Sequence, residues 1–207
     1  MYINSIMNEN PKQVRELESL AQALHGVFSI QDLSNFFNER RPVALMRRIA
    51  PYLADGTLER YARGWYLWDN ARVDVLASRM SPGCVLSFGS ALAYHLMIGT
   101  VPTLRADAVH AQRENSWSGR FQLAFHHLEE EFLQPFIVTP LGVRIATAEK
   151  AVLDTLYFTL RGKRYSFDVY NDINRASLNV DLFQGLLSTY RNMRFRAFAD
   201  GWYRNET

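Results

Sequence analysis

Residues 41–68 read RPVALMRRIAPYLADGTLERYARGWYLW, and their reading decides the fold of the first half of the chain. Pro42 suits the first turn of a helix, where its missing donor would be unpaired anyway, and Gly56 closes the segment. At about 100° per residue, Pro42, Leu45, Met46, Ile49 and Leu53 gather on one side, while Ala44, Arg47 and Pro51 point away. Arg47 therefore faces outward, with Arg48 on the flank. Pro51 removes a backbone donor and crowds the carbonyl four residues earlier, so a kink or a break into two short helices is expected there. After Gly56, TLERYARGWYLW reads as two short strands around a turn at Ala62–Gly64, rich in the aromatic residues that suit a sheet.

Working upstream, Asn10 can cap a first helix, Pro11 fits its first turn and Gly26 can supply the left-handed residue that ends it. Val14, Leu17, Ala21 and Leu24 recur at helical spacing and mark its buried face. A second helix follows at once. Ser29 is its N-cap, Asp32 completes a carboxylate version of the capping box, and Ile30, Leu33, Phe36 and Phe37 supply apolar contacts until FNERR interrupts. Three helices and a hairpin in this order make a winged helix-turn-helix, in which the third helix enters a major groove and the hairpin touches the neighbouring backbone.

Charge follows the same division. Residues 1–39 are net acidic, whereas residues 40–63 hold Arg40, Arg41, Arg47, Arg48, Arg60 and Arg63 against only Asp55 and Glu59, a net +4. Every cation there is an arginine, whose planar fork can bind a phosphate or a guanine edge through two hydrogen bonds. Ala44 and Arg47 point outward from the third helix as candidates for the groove. Arg47 is the base or deep-groove contact, Arg40, Arg41 and Arg48 the phosphate contacts around it, and Arg60 and Arg63 the wing contacts. The alternative is a solvated arginine face.

The runs GVFSIQDL and LMRRIAPYLADGTLERYARGWYLW together resemble the N-terminal winged-helix domain of the AbiEi-type antitoxins from abortive-infection systems. In the second half, VLSFGSALAYHLMIG resembles that family's Ser-Ala-Leu-x-Tyr-His element, and GVRIATAEKAVLDTLYF resembles its Glu-Lys-Ala-x-x-Asp element. The similarity runs from about residue 12 to residue 160, and Leu96 stands where the family form has glycine. The resemblance implies a DNA-binding antitoxin and transcriptional autorepressor of a toxin-antitoxin operon. Its partners would be double-stranded operator or promoter DNA and a nucleotidyltransferase-like toxin, engaged directly or only functionally. A stand-alone transcriptional regulator and a protein-interaction module without a toxin are the alternatives.

The chain has 207 residues, 48% of them hydrophobic and 21% charged, which suits two folded domains rather than a disordered chain. The expected division is a winged helix over residues 1–75 and a mixed α/β domain over residues 76–207, an α+β protein as a whole. No apolar run approaches the roughly 18 residues of a membrane span, the opening MYINSIMNENPK lacks a leader pattern, and the single Cys84 cannot form an internal disulfide. A cytoplasmic location is expected, with no membrane partner.

The second half offers weak chemical signals. From Val85 a strand should run into a helix near Gly89 or Ser90, with Leu92, Leu96 and Met97 inward and Ser87 and Ser90 as cap candidates. FGSAL lacks the flanking glycines of a nucleophile elbow. His95 reads as a packed or hydrogen-bonded side chain. His126 and His127 lie on an alternating strand and point to opposite faces, so they do not share an ion. ATAEKAVLDTLYF makes a helix with Thr147 as its cap and Ala148, Val152, Thr155 and Leu156 inward, and Glu149 and Asp154 do not share a face as an acid/base pair would. No P-loop, zinc pattern or dinucleotide fingerprint occurs, so neither a metal nor a cofactor nor enzymatic activity is expected. Residues 161–207 are net basic, and LFQGLLSTYRNMRFRAF interleaves aromatics with Arg191, Arg194 and Arg196, a second basic surface or a C-terminal helix with solvated arginines.

Overall fold

The computed structural model describes residues 11–100, 102–112 and 114–204, and the cap assigned to Asn10 lies outside them. The chain divides into two compact units, one ending at Leu76 and the other starting at Ala77. A helical N-terminal region carrying a small sheet is followed by a mixed α/β sheet domain. Among the described residues, no helix is long and apolar enough to cross a membrane.

In the first unit, α1 spans Pro11–Ala23 and buries Leu17 and Ala21, with Val14 and Leu24 packed beside them. The chain then turns through Gly26 at φ +73, where an added Cβ would meet the Ala71 backbone at 2.4 Å. A strand that the sequence reading omitted follows: β1, Val27–Ser29. It is too short for a periodic signal and exists because it pairs with a partner far along the chain. Ser29 also caps α2, Ile30–Phe37, through the reciprocal bonds of a capping box with Asp32, and Asn38 in a left-handed conformation ends that helix.

The third helix, α3, spans Pro42–Ala54 without a break at Pro51. That proline sits in the last turn, and the carbonyl deprived of a partner belongs to Arg47 on the solvent side, where water can serve it. The buried face is also rotated from the expected one. Leu45, Ile49 and Tyr52 are buried, whereas Pro42 is exposed and Met46 keeps 36% of its surface in solvent. Tyr52 packs its ring 5.8 Å from that of Phe37, and this aromatic contact draws the helix round. Strands β2, Glu59–Ala62, and β3, Trp65–Leu67, form the expected hairpin, with Gly64 at φ +81 in its turn. They join β1 in an antiparallel sheet of order β1-β3-β2, its register set by Phe28↔Tyr66 and Arg60↔Tyr66.

Helix α4, Val73–Met80, runs across the division. The second unit contains a six-stranded sheet of order β6-β7-β5-β4-β9-β8. Its strands are β4 Val85–Leu86, β5 Arg105–His110, β6 Asn115–Ser118, β7 Gln122–His127, β8 Phe136–Val138 and β9 Arg144–Ala146. β5 pairs parallel with β7 and β4 parallel with β9, and the other pairs are antiparallel. Helices α5, Phe88–Tyr94, and α6, Ala148–Leu160, pack on each other.

Helix α6 is buried around nearly its whole circumference from Glu149 to Leu156, not along one stripe as its sequence suggested. Its expected cap Thr147 occupies the right position but makes no side-chain capping bond. Leu96, expected in the core, is 82% exposed at φ +56, because the chain makes the left-handed turn that ends α5 at this residue. The stretch for which a C-terminal helix was one of two readings forms two helices, α7 Val180–Thr189 and α8 Met193–Arg204, separated at Tyr190.

Candidate nucleic-acid interface

Helix α3 turns Leu45, Ile49 and Tyr52 inward, so its opposite face must be supplied by Val43, Arg47, Ala50 and Ala54. All four are exposed. Arg48 is exposed beside them, whereas Ala44, expected to point away, is half-buried because it lies at the edge of the packed face. Arg40 is exposed before the helix. Arg41 is exposed too, but its guanidinium is held by Glu39 through two bonds of 3.1 Å. That pairing keeps the Glu39 carboxyl down at about 2, the side-chain hydrogen bonds from Arg41 being the main cause. Arg41 is therefore partly neutralised, and Arg40, Arg47 and Arg48 carry the positive charge of this face.

On the hairpin, Arg60 in β2 and Arg63 in the turn are both exposed. A register shift between Arg60 and Ala62 bends β2, and bulges of this kind re-aim side chains at a sheet edge. Tyr61 between them is partly buried, which raises its hydroxyl to about 12 and leaves it a neutral donor at physiological pH. The sequence-predicted arginines thus share one unit, on an outward helix face and on the hairpin.

The second unit presents Arg191 and Arg194 to solvent and Arg196 half-buried. The aromatics interleaved with them do not form a stacking platform. Tyr190 and Phe195 are buried, with Tyr190 stacked 5.0 Å from Phe132 and Phe195 set edge-on to Tyr157 at 5.3 Å. Clefts of about 320 and 340 Å³ flank the Phe132–Tyr190 stack, both walled by Glu131 and Arg191.

Two polar clusters in this unit escaped the sequence reading. In one, the Ser87 hydroxyl donates to the Asp154 carboxylate at 2.6 Å and Lys150 donates to its other oxygen, with all three side chains buried. Burial pushes the Asp154 carboxyl up against the opposing pull of Lys150 and Ser87. In the other, Asp107 on β5 receives Arg105 at 2.5 and 2.9 Å and Lys163 at 3.1 Å. His126 Nε2 lies 3.4 Å from the same carboxylate and 2.6 Å from Lys163 Nζ. Burial alone would raise the Asp107 carboxyl, but the hydrogen bonds from Arg105 and the charges of Lys163 and Arg105 hold it well below the usual range. The spacing of Lys150 and Asp154 by four residues, and of Arg105 and Asp107 by two on a strand, were available signals. Lys163 comes from a loop with no local pattern.

Between the clusters the chain passes from β4 into α5 through Phe88 at φ +51, fully buried and ring-packed with His126 and Phe158. A strand, a left-handed residue and a helix make the geometry of a nucleophile elbow, but the strained position carries a phenyl ring. The neighbouring hydroxyls are occupied: Ser87 by Asp154, and Ser90 by the Asp107 amide at 3.1 Å. His95 Nε2 donates to the Ala146 carbonyl at 2.8 Å, and Glu149 accepts from the Asn179 backbone amide at 3.1 Å. These groups tie elements together. Among the described residues, no three His, Cys, Asp or Glu side chains gather as metal ligands.

No protein-family model and no curated protein matches the chain. Among solved structures it is similar to the RV2827C protein from Mycobacterium tuberculosis, with a TM-score of 0.64 at 15% sequence identity, over 95% of this chain and 78% of that one. At this identity the likeness shows a shared fold.

Proposed function

We propose that the chain is a DNA-binding transcriptional regulator whose first unit acts as a winged helix-turn-helix, with α3 in the major groove and the β2–β3 hairpin as the wing. The observation that carries this reading is the exposure of Arg40, Arg47, Arg48, Arg60 and Arg63 together on α3, its approach and the hairpin. Arg47 is the base contact, Arg40 and Arg48 the phosphate contacts with Arg41 contributing less, and Arg60 and Arg63 the backbone contacts of the wing. The motif resemblance extends this to an AbiEi-type antitoxin of the cytoplasm that represses its own operon, with the second unit opposing a nucleotidyltransferase-like toxin. Arg191, Arg194 and Arg196 form a second basic surface of that unit, and no catalysis is assigned to it.

The test is a titration of the full chain against the DNA upstream of its own gene at several salt concentrations. Arg47→Ala should cost about 1–3 kcal/mol of discrimination between that DNA and random duplex, while Arg60→Ala should weaken both alike and flatten the salt dependence. Equal losses on both DNAs for Arg47→Ala would demote it to a phosphate contact. Absence of salt-sensitive binding to either would favour a second reading, a protein-interaction module, for which the clefts beside Phe132 and Tyr190 offer the recess.

A further inference from the structure

We infer that the outward face of α3 reads thymine methyl groups on both sides of the base contacted by Arg47, with Val43 and Ala50 as the contacts and Met46 at the edge. The inference rests on the reading that α3 enters a major groove. An outward helix face that served only to hold phosphates would be polar throughout. This one is apolar except for its single central guanidinium: Val43 is 68% exposed, Met46 is 36% exposed, and a shallow surface recess is lined by Pro42, Val43, Met46, Arg47 and Ala50.

The side chains suit that task. Val43 is branched at Cβ and stiff, so it presents its methyls in a fixed direction. Met46 is tethered from below, its sulfur lying 3.5 Å from the Tyr66 hydroxyl of β3. Ala50 and Ala54 are small enough to let the helix backbone approach the bases. From Val43 to Ala50 the helix rises about 10 Å, close to three base steps of about 3.4 Å. The thymine C5-methyl is the apolar feature of the major groove, and small apolar side chains are its complement. Charge selects DNA over an apolar protein partner as the occupant, because the strip is framed by Arg40, Arg47 and Arg48 within a segment of net +4.

The experiment selects preferred duplexes from a randomised pool with the full-length protein, then replaces each thymine in the winner by deoxyuridine. That exchange removes one methyl and keeps the base pairing. Binding should weaken about fourfold at each contacted thymine, the worth of one buried methyl, and stay unchanged elsewhere. Val43→Ser, a change at an exposed position, should bind thymine and deoxyuridine duplexes alike at one of those sites. If no duplex is enriched and binding is absent at low salt, the groove reading itself fails. If a duplex is enriched but tolerates deoxyuridine everywhere, the methyl inference is overturned while the groove reading stands. Loss of self-association in Val43→Ser with thymine discrimination intact would assign the strip to a second copy of the chain and overturn it equally.

Discussion

Leu96 shows how much one residue can work against its own backbone. Its left-handed φ of +56 costs a leucine roughly 1–2 kcal/mol, and at 82% exposure the side chain recovers little by burial. Leu96→Gly should therefore raise stability by up to about 1 kcal/mol after the extra chain entropy of glycine is subtracted, seen as a higher urea midpoint with an unchanged slope. Asp107 makes the opposite case, because its neighbours favour the ionised form. A carboxyl depressed in the folded state adds stability that is complete above its unfolded value near 4 and fades as pH falls through the folded one. Asp107→Asn should cost about 1.5–3 kcal/mol at pH 7, and its stability should decline less steeply than that of the parent below about pH 4. Parallel acid limbs in denaturant titrations of the two proteins would refute the assignment.

At the scale of elements, Asp154 and Lys150 fasten α6 to the start of α5 through Ser87. Removing the cation alone strands a buried carboxylate, so Lys150→Ala should cost about 3–5 kcal/mol, and pairing Lys150→Met with Asp154→Leu should recover much of it. Chemical denaturation of the parent and the two variants checks the order. Such fastenings mark where the sequence could be read and where it could not. The α2 capping box and the β2–β3 hairpin are local, written in Ser29, Asp32 and Gly64, and they were legible. Strand β1 was not, since Phe28 meets Tyr66 only because the chain returns through α2 and α3. Helical spacing assigned Met46 to the core, but the Phe37–Tyr52 contact sets the rotation of α3 and leaves Met46 at the surface. The outward placement of Arg47 was legible because Leu45 and Ile49 mark the opposite, packed side of α3. The approach of His126 and Lys163 to the Arg105–Asp107 pair was not, because it depends on β5 lying parallel to β7 and on a loop after α6.

At the scale of the whole molecule, the division into two units falls within α4. Both halves of a dissection therefore need that helix. A fragment of residues 1–80 should fold and bind DNA with a shallower salt dependence than the full chain, and a fragment of residues 73–207 should retain at least part of any toxin rescue while losing most operator affinity. Paired affinity and rescue assays test this, and undiminished operator binding by the second fragment would move the interface to Arg191, Arg194 and Arg196. The border of the larger sheet governs another property of the intact chain. β8 is its outermost strand on one side, with Ile137 and Val138 38% and 60% exposed. It is three residues long, with Pro135 just before it and Pro140 soon after. A foreign strand that aligned there would find few rungs to join before reaching a ring that cannot donate, so this border, for all its bare aliphatic side chains, is a poor template for adding strands.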